Sequence, residues 1–489
     1  MEAFSDMKAP AFVLGPQQIA DHLRQMAAAD HSTLVADRHV REHYADKPSA
    51  MIWIDRQGAD HRADTLLAWL HRVSEMGFTE RSFMVDDIEH DLLRLRTLDF
   101  DEQKNTASRV AARLEYKLTK ACLRYCYGQR YGFINPHRLF NHLDIDKQDS
   151  LRGIIRYRGL FDVEMDLPDS HYADSVMQLV KADRIARYLQ EIQPTESTYR
   201  QLKDMLPTAT GQEQRQRVIV NMERSRWRRH QPLMQQGKRV VVNIPAYHLY
   251  AYAEDSVLDM RVVCGARTTK TPQLSSLIAY MQVNPEWVIP MSIIKNEVAP
   301  HAGDSSWFSR RRYEVVNKET RQTVDLRNVT RQMLLSGKYN VAQKGGAGNS
   351  LGRIVFRFKN NFSVYLHDTN TPGAFSRDVR SLSHGCVRVS KPFQLAQFVL
   401  DNPDEWLLDR IRVGMGLPAE TERGLRWLSD HPDHDDVKKL IGYVGVEPRV
   451  PIYIIYYTIW PDEGGTWQTW PDIYGYDQVM WNALKPYMQ

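Results

Sequence analysis

The residues best suited to chemistry lie in Ser383-His384-Gly385-Cys386-Val387-Arg388, with a second histidine, His367, sixteen positions before Ser383. A cysteine attacks as thiolate, and an ordinary thiol is only a few per cent ionised at neutral pH, so it needs a base within hydrogen-bond reach. His367 closes a strand-like run, Val364-Tyr365-Leu366-His367-Asp368, and suits that role. His384 is two residues from the thiol on a tight turn, where its ring points elsewhere. Gly385 permits the sharp turn that gathers successive amides, and such amides could hold a developing oxyanion. Arg388 follows Cys386 by two, on the same side of a strand, and could bind a substrate carboxylate. The same residues also suit a turn around a buried thiol. Zinc fits poorly, because one cysteine and two histidines lack CxxC or HxxxH spacing.

The other cysteines call for no chemistry. Cys122 and Cys126 are four apart in a helical pattern, and Cys264 lies in an apolar strand-like run. Four cysteines in 489 residues do not make a disulfide scaffold. A net charge of +4 demands no nucleic-acid partner. Two basic clusters, Arg224–Arg229 and Arg310–Arg312, read as solvated faces, with an acidic-polymer patch as the alternative. No apolar run approaches the ~18 residues of a membrane span. The first eight residues show no signal peptide, which implies a cytoplasmic protein or a mature chain.

The elements that must position the site are of two kinds. Residues 10–145 carry helical periodicity and read as a scaffold, continued by helices over 146–236. From Lys238 the pattern turns to β-branched and alternating runs: 239–244, 247–252, 260–264, 278–283, 354–358 and 363–366. His248 reads as a surface strand residue. The expectation is a multi-domain α+β protein whose 237–400 region is a sandwich- or barrel-like β domain. A charged, strand-poor stretch at 290–340 is too long for a plain loop and reads as an inserted lid. Residues 401–489 add helices and the strand 450–458, packing back on the earlier domains.

His367, fifteen residues, then Ser383-His384-Gly385-Cys386-Val387-Arg388 resembles the signature of the L,D-transpeptidases, cysteine enzymes of peptidoglycan cross-linking. Lys270-Thr271-Pro272, Asn284–Pro290, Gln343 to Gly352 and Tyr453 to Thr458 extend the resemblance to the large multi-domain Gram-negative type. The resemblance implies Cys386 as nucleophile and His367 as base. It implies a backbone carbonyl near Asp368 orienting the base, and an oxyanion hole from the amides of His384, Gly385 and Cys386. Tyr365, Ser383, Asn349 and Arg388 would line the substrate site, with Trp307 an apolar contact from the lid. It further implies thioester formation with loss of D-alanine, 3→3 cross-links, no cofactor or metal, stem-peptide substrates and a periplasmic location, with a signal or anchor lying outside this sequence. Water or a D-amino acid as acceptor would give a carboxypeptidase or an exchange enzyme, and a catalytically silent wall-binding scaffold is the reading from another class. No separate peptidoglycan-binding module is recognisable, so wall binding falls either to the scaffold domain with the basic Arg224–Arg229 cluster or to a wall-associated protein partner.

Overall fold

The computed structural model describes residues 9–55, 57–145, 155–230, 233, 237–254, 256–432, 437 and 440–489. The signal-peptide reading of the first eight residues lies outside them. The chain divides into two compact units. One comprises residues 1–139, 164–234 and 475–489, and the other 140–163 and 235–474. The expected boundaries shift accordingly. Residues 140–163 and 401–474 belong with the β-rich unit, and only the last fifteen residues belong with the helices.

In the helical unit, α1 (Ala107–Tyr131) is the organising element, starting at the Thr106 cap, whose hydroxyl accepts from the Arg109 amide. Its apolar residues, among them Val110, Leu114, Leu118 and Cys122, are buried. So is Glu115, whose carboxylate accepts the amides of Ile52, Trp53 and Ile54 and the Tyr44 hydroxyl, which removes much of the cost of burying it. Cys122 and Cys126 are buried thiols, with Sγ atoms 3.9 Å apart. A second helix, α2 (Gly211–Arg226), is buried along its last turns despite its charge, and meets α3 (Tyr476–Leu484). Here the sequence reading fails. Arg224 and Arg226 are 0% and 1% exposed, so the basic cluster is neither a solvated face nor an open patch. Arg224 pairs with Asp477 at 2.7 Å, and Arg226 with Glu223 at 3.3 Å. The Arg226 guanidinium also lies over the rings of Phe133 and Tyr199.

After a short pair of strands, Asp144–Ile145 with Tyr157–Arg158, the β-rich unit runs through β1 (Phe161–Asp162), β2 (Arg239–Asn243), β3 (His248–Ala253), β4 (Ser256–Gly265) and β5 (Gln273–Val283). A subdomain follows with β6 (Trp287–Val288), β7 (Tyr313–Asn317) and β8 (Tyr339–Gln343). Then come β9 (Ile354–Phe358), β10 (Leu366–His367), β11 (Ser381–Ser383), β12 (Val387–Val389) and β13 (Tyr443–Ile455). Among the described residues, the hydrogen-bonded order β9-β10-β12-β4-β3-β2-β13-β5 returns to β9, closing a barrel, with β1 beside β5 and β11 beside β4. Closure leaves no long edge exposed in the ring. Val240, Val242, Leu249, Val262 and Ile452 fill the interior, each burial contributing roughly 1.5–3 kcal/mol before entropy.

The expected lid is a subdomain with its own core. The order β6-β8-β7 makes a small antiparallel sheet. It packs against Ile293, Val298, Phe308 and Leu334. Trp307 belongs to this core. It is 8% exposed, stacked on His301 at 4.2 Å and covered by Arg311. It is spent on holding the lid together and does not stand free as an apolar contact for a substrate.

Candidate active site

The site is built on one face of three adjacent strands. In β10 and β12, Leu366, Val387 and Val389 point into the barrel and are buried. Period two therefore turns Tyr365, His367, Cys386 and Arg388 to the opposite face. Register aligns them: His367 lies opposite Arg388, and the Val387 amide donates to the Tyr365 carbonyl, which sets Tyr365 level with Cys386. On the other side of β10, His367 is opposite Val355 and Leu366 opposite Phe356, so Arg357 of β9 falls beside Tyr365. Its guanidinium carbon sits 4.2 Å from the Tyr365 ring centroid. The Tyr365 and His367 rings meet edge to face at 5.7 Å. One row thus reads Arg357, Tyr365, Cys386, and the next His367, Arg388. Arg357 was not anticipated. Its signal was the single charge in the apolar run Ile354-Val355-Phe356-Arg357-Phe358, but register across the hairpin is not legible in the sequence.

The hairpin that sets this register is tied by Asn360, whose amide donates to the Phe358 and Val364 carbonyls and whose oxygen accepts from Phe362 and Val364. The cysteine turn is held from below. Gly385 has φ +119°, a conformation that L side chains rarely adopt. The Gly385 carbonyl accepts the Thr271 hydroxyl at 2.9 Å, and the Gly265 amide donates to the same oxygen atom of Thr271. Gly265 itself has backbone where a Cβ would stand, the Thr269 carbonyl being 2.1 Å from that position.

Each expected site residue has a definite place. Cys386 is half-buried, and its Sγ faces the Ser363 carbonyl at 3.9 Å. Burial pushes its thiol up, opposed by the Tyr365 backbone and hydroxyl and by the charges of Arg357 and Arg388. His367 is 4% exposed, and its Nδ1 makes no well-formed hydrogen bond among the described residues, while the neighbouring backbone of Asp368 and Leu351 favours its protonated form against burial. Burial, then the charge of Arg388, holds its imidazole down at about 3, so the ring is neutral at physiological pH. The His384 ring turns away from the thiol to pair with Glu297 of the lid at 2.5 Å. Arg388 donates to the Thr371 hydroxyl at 3.2 Å, while its Nε is buried without a described partner.

Three expected roles change. The Gly385 amide donates to the Ser383 hydroxyl at 3.2 Å, so in this conformation it is occupied, leaving the His384 and Cys386 amides as donors for an oxyanion. Ser383 is buried, and its hydroxyl donates to the Cys386 carbonyl at 2.5 Å, so it braces the turn and has no hydroxyl to spare for a substrate. Asn349 is 1% exposed, with its amide spent on the carbonyls of Pro285, Gln343 and Lys344. It ties the loop after the lid and is not a substrate contact. The Asp368 carboxylate accepts the Arg353 amide at 2.8 Å and packs against Gly352, so its side chain fixes the loop before β9. Away from this face, His248 begins a strand as expected, and with Asp259 and Glu463 it brings possible ligand atoms within 4.8 Å of one another.

A buried neutral imidazole, a half-buried thiol on a positive-φ turn and two guanidinia form the equipment of thiol acyl transfer. Comparison with known proteins agrees. Residues 237–416 match the model of the L,D-transpeptidase catalytic domain, and residues 38–206 match a model described as a Scaffold domain. Residues 237–416 are thus similar to the catalytic domain of the L,D-transpeptidase family. It is 28% identical over 335 residues to a Haemophilus influenzae protein provisionally named an L,D-transpeptidase. That match spans 66% of this chain and 62% of the relative's length.

Proposed function

We propose that the protein is an L,D-transpeptidase that forms 3→3 peptidoglycan cross-links through a thioester on Cys386. The observation that carries this reading is the shared face of Tyr365, His367, Cys386 and Arg388, set by the β10–β12 register. The donor is a stem tetrapeptide, and the carbonyl attacked joins its third residue, a diamino acid, to the terminal D-alanine. His367 takes the thiol proton as sulfur adds to that carbonyl. The oxyanion collects the His384 and Cys386 amides, each such donor typically contributing roughly 3 kcal/mol. The proton passes to the departing D-alanine amine, leaving the thioester. The side-chain amine of a second stem then adds to the thioester carbonyl, its proton goes to His367, and the thiol is released. Arg388 holds a donor carboxylate. No step draws on a metal or organic cofactor.

The substrate places the enzyme outside the inner membrane, in the periplasm. Among the described residues no helix is long and apolar enough to cross a membrane. Incubation with a carbapenem tests the nucleophile. Intact-mass measurement should show one adduct per chain in the wild type and none in Cys386→Ala. The same adduct on both proteins would remove Cys386 from the mechanism.

A further inference from the structure

The site face carries more positive charge than the thiol chemistry requires. Arg357 donates through Nε to Gln282 Oε1 at 2.9 Å, and its terminal nitrogens have no partner among the described residues. Arg388 donates to one threonine hydroxyl. Neither guanidinium forms an ion pair with a described carboxylate, unlike Arg224 and Arg226. Both are partly exposed and favour the Cys386 thiolate, and beyond that the chain leaves their charge for a ligand to answer. Arg357 is also pre-set for binding. Gln282 fixes one edge, the Tyr365 ring fixes its plane, and the remaining fork matches a carboxylate.

We propose that Arg357 is a second carboxylate anchor, binding the side-chain carboxylate of the donor's third residue while Arg388 takes the terminal one. Position favours that division. Arg357 and Cys386 stand on β9 and on the far side of β10, two strand spacings apart, about 10 Å between backbones. The terminal carboxylate of the donor lies only about one residue, roughly 3.8 Å, beyond the scissile carbonyl, on the leaving-group side. The side-chain carboxylate of a long diamino acid stands several bonds farther out, on the acyl side. Selectivity follows. A donor whose side-chain carboxylate is amidated presents no charge to Arg357 and leaves the guanidinium unpaired.

This inference rests on the donor chemistry proposed above. The test uses a synthetic tetrapeptide with diaminopimelate at the third position and its side-chain amide, with acylation rates followed by intact mass. Wild type should acylate with the free acid about 10- to 100-fold faster in kcat/KM than with the amide, the span of a charge-assisted hydrogen bond. Arg357→Gln should lose that preference, chiefly by slowing on the acid. Arg357→Lys should keep part of it, and Gln282→Ala, which frees the guanidinium without removing it, should weaken it. Preference retained in both Arg357→Gln and Gln282→Ala overturns the anchor while leaving the transpeptidase reading intact. Wild type that acylates with neither peptide overturns that reading, and the anchor with it. A melting curve on each variant shows whether it is folded, and Gln282→Ala decides the matter should Arg357→Gln not fold.

Discussion

Two pairs of arginines in this chain have opposite circumstances. Arg224 and Arg226 of the helical unit are fully buried, each with a carboxylate of its own chain and, for Arg226, aromatic rings around it. Arg357 and Arg388 of the barrel are only partly buried, and their partners are a glutamine, a threonine and a phenol ring. The charges of Arg224 and Arg226 are neutralised within the chain, since an unpaired buried ion costs several kcal/mol. Charge that serves function is left open for a ligand to neutralise. The contrast separates residues of the same type by what answers them.

Breaking each pair should therefore break different things. The largest effect is expected from Arg226→Ala. It leaves Glu223 buried with an uncompensated charge and should cost about 3–5 kcal/mol of stability, read from denaturant unfolding of the whole chain. Acylation by the fraction still folded should be unchanged. If stability falls by under 1 kcal/mol, the architectural half of the contrast fails. Arg388→Gln should do the reverse. Loss of one charge-assisted contact, about 1.5–3 kcal/mol, should lower kcat/KM for acylation roughly 10- to 150-fold with little change in unfolding. A variant that unfolds easily but acylates normally would move Arg388 into the architectural class.

The smallest effect concerns pH, and it sharpens the functional side. His367 is held down at about 3 by burial and by Arg388, and the Cys386 thiol is pushed above its ordinary value by burial. The acylation rate of the free enzyme should then climb from neutral into alkaline pH with no break near 6.5. A break near 6.5 would mean an imidazole in water. Stability carries the same signature. The unfolded chain binds a proton on His367 below about 6.5 and the folded chain does not until about 3, so this contribution is present above 6.5 and lost as pH falls through that window. His367→Asn should flatten that part of the stability profile.

Much of this site was legible before any coordinates. His367 as a candidate base, the need for glycine before the thiol, and the place of Arg388 two residues on follow from local chemistry and strand periodicity, while the meaning of the His367–Cys386 spacing came from the family resemblance. The barrel strands announce themselves through β-branched runs such as Val240-Val241-Val242, buried as expected. What failed depended on distant partners. Arg224 reads as a surface charge until Asp477, far along the chain, comes beside it. Trp307 reads as a contact until Arg311 and His301 enclose it. Asn349 and Ser383 read as polar site residues, but backbone groups use up their hydrogen bonds. Arg357 needed the register of β9 on β10, which pattern alone does not set.

The central claim is that this open, positively charged face holds a cysteine that takes the acyl part of a stem peptide and releases D-alanine. Mixing the full chain with a tetrapeptide stem and recording intact mass while assaying free D-alanine tests it in one step. The account predicts a covalent adduct of the donor less D-alanine, released D-alanine in proportion, and neither in Cys386→Ala. D-Alanine released without a thiol-bound intermediate, or an adduct that survives in Cys386→Ala, would contradict it.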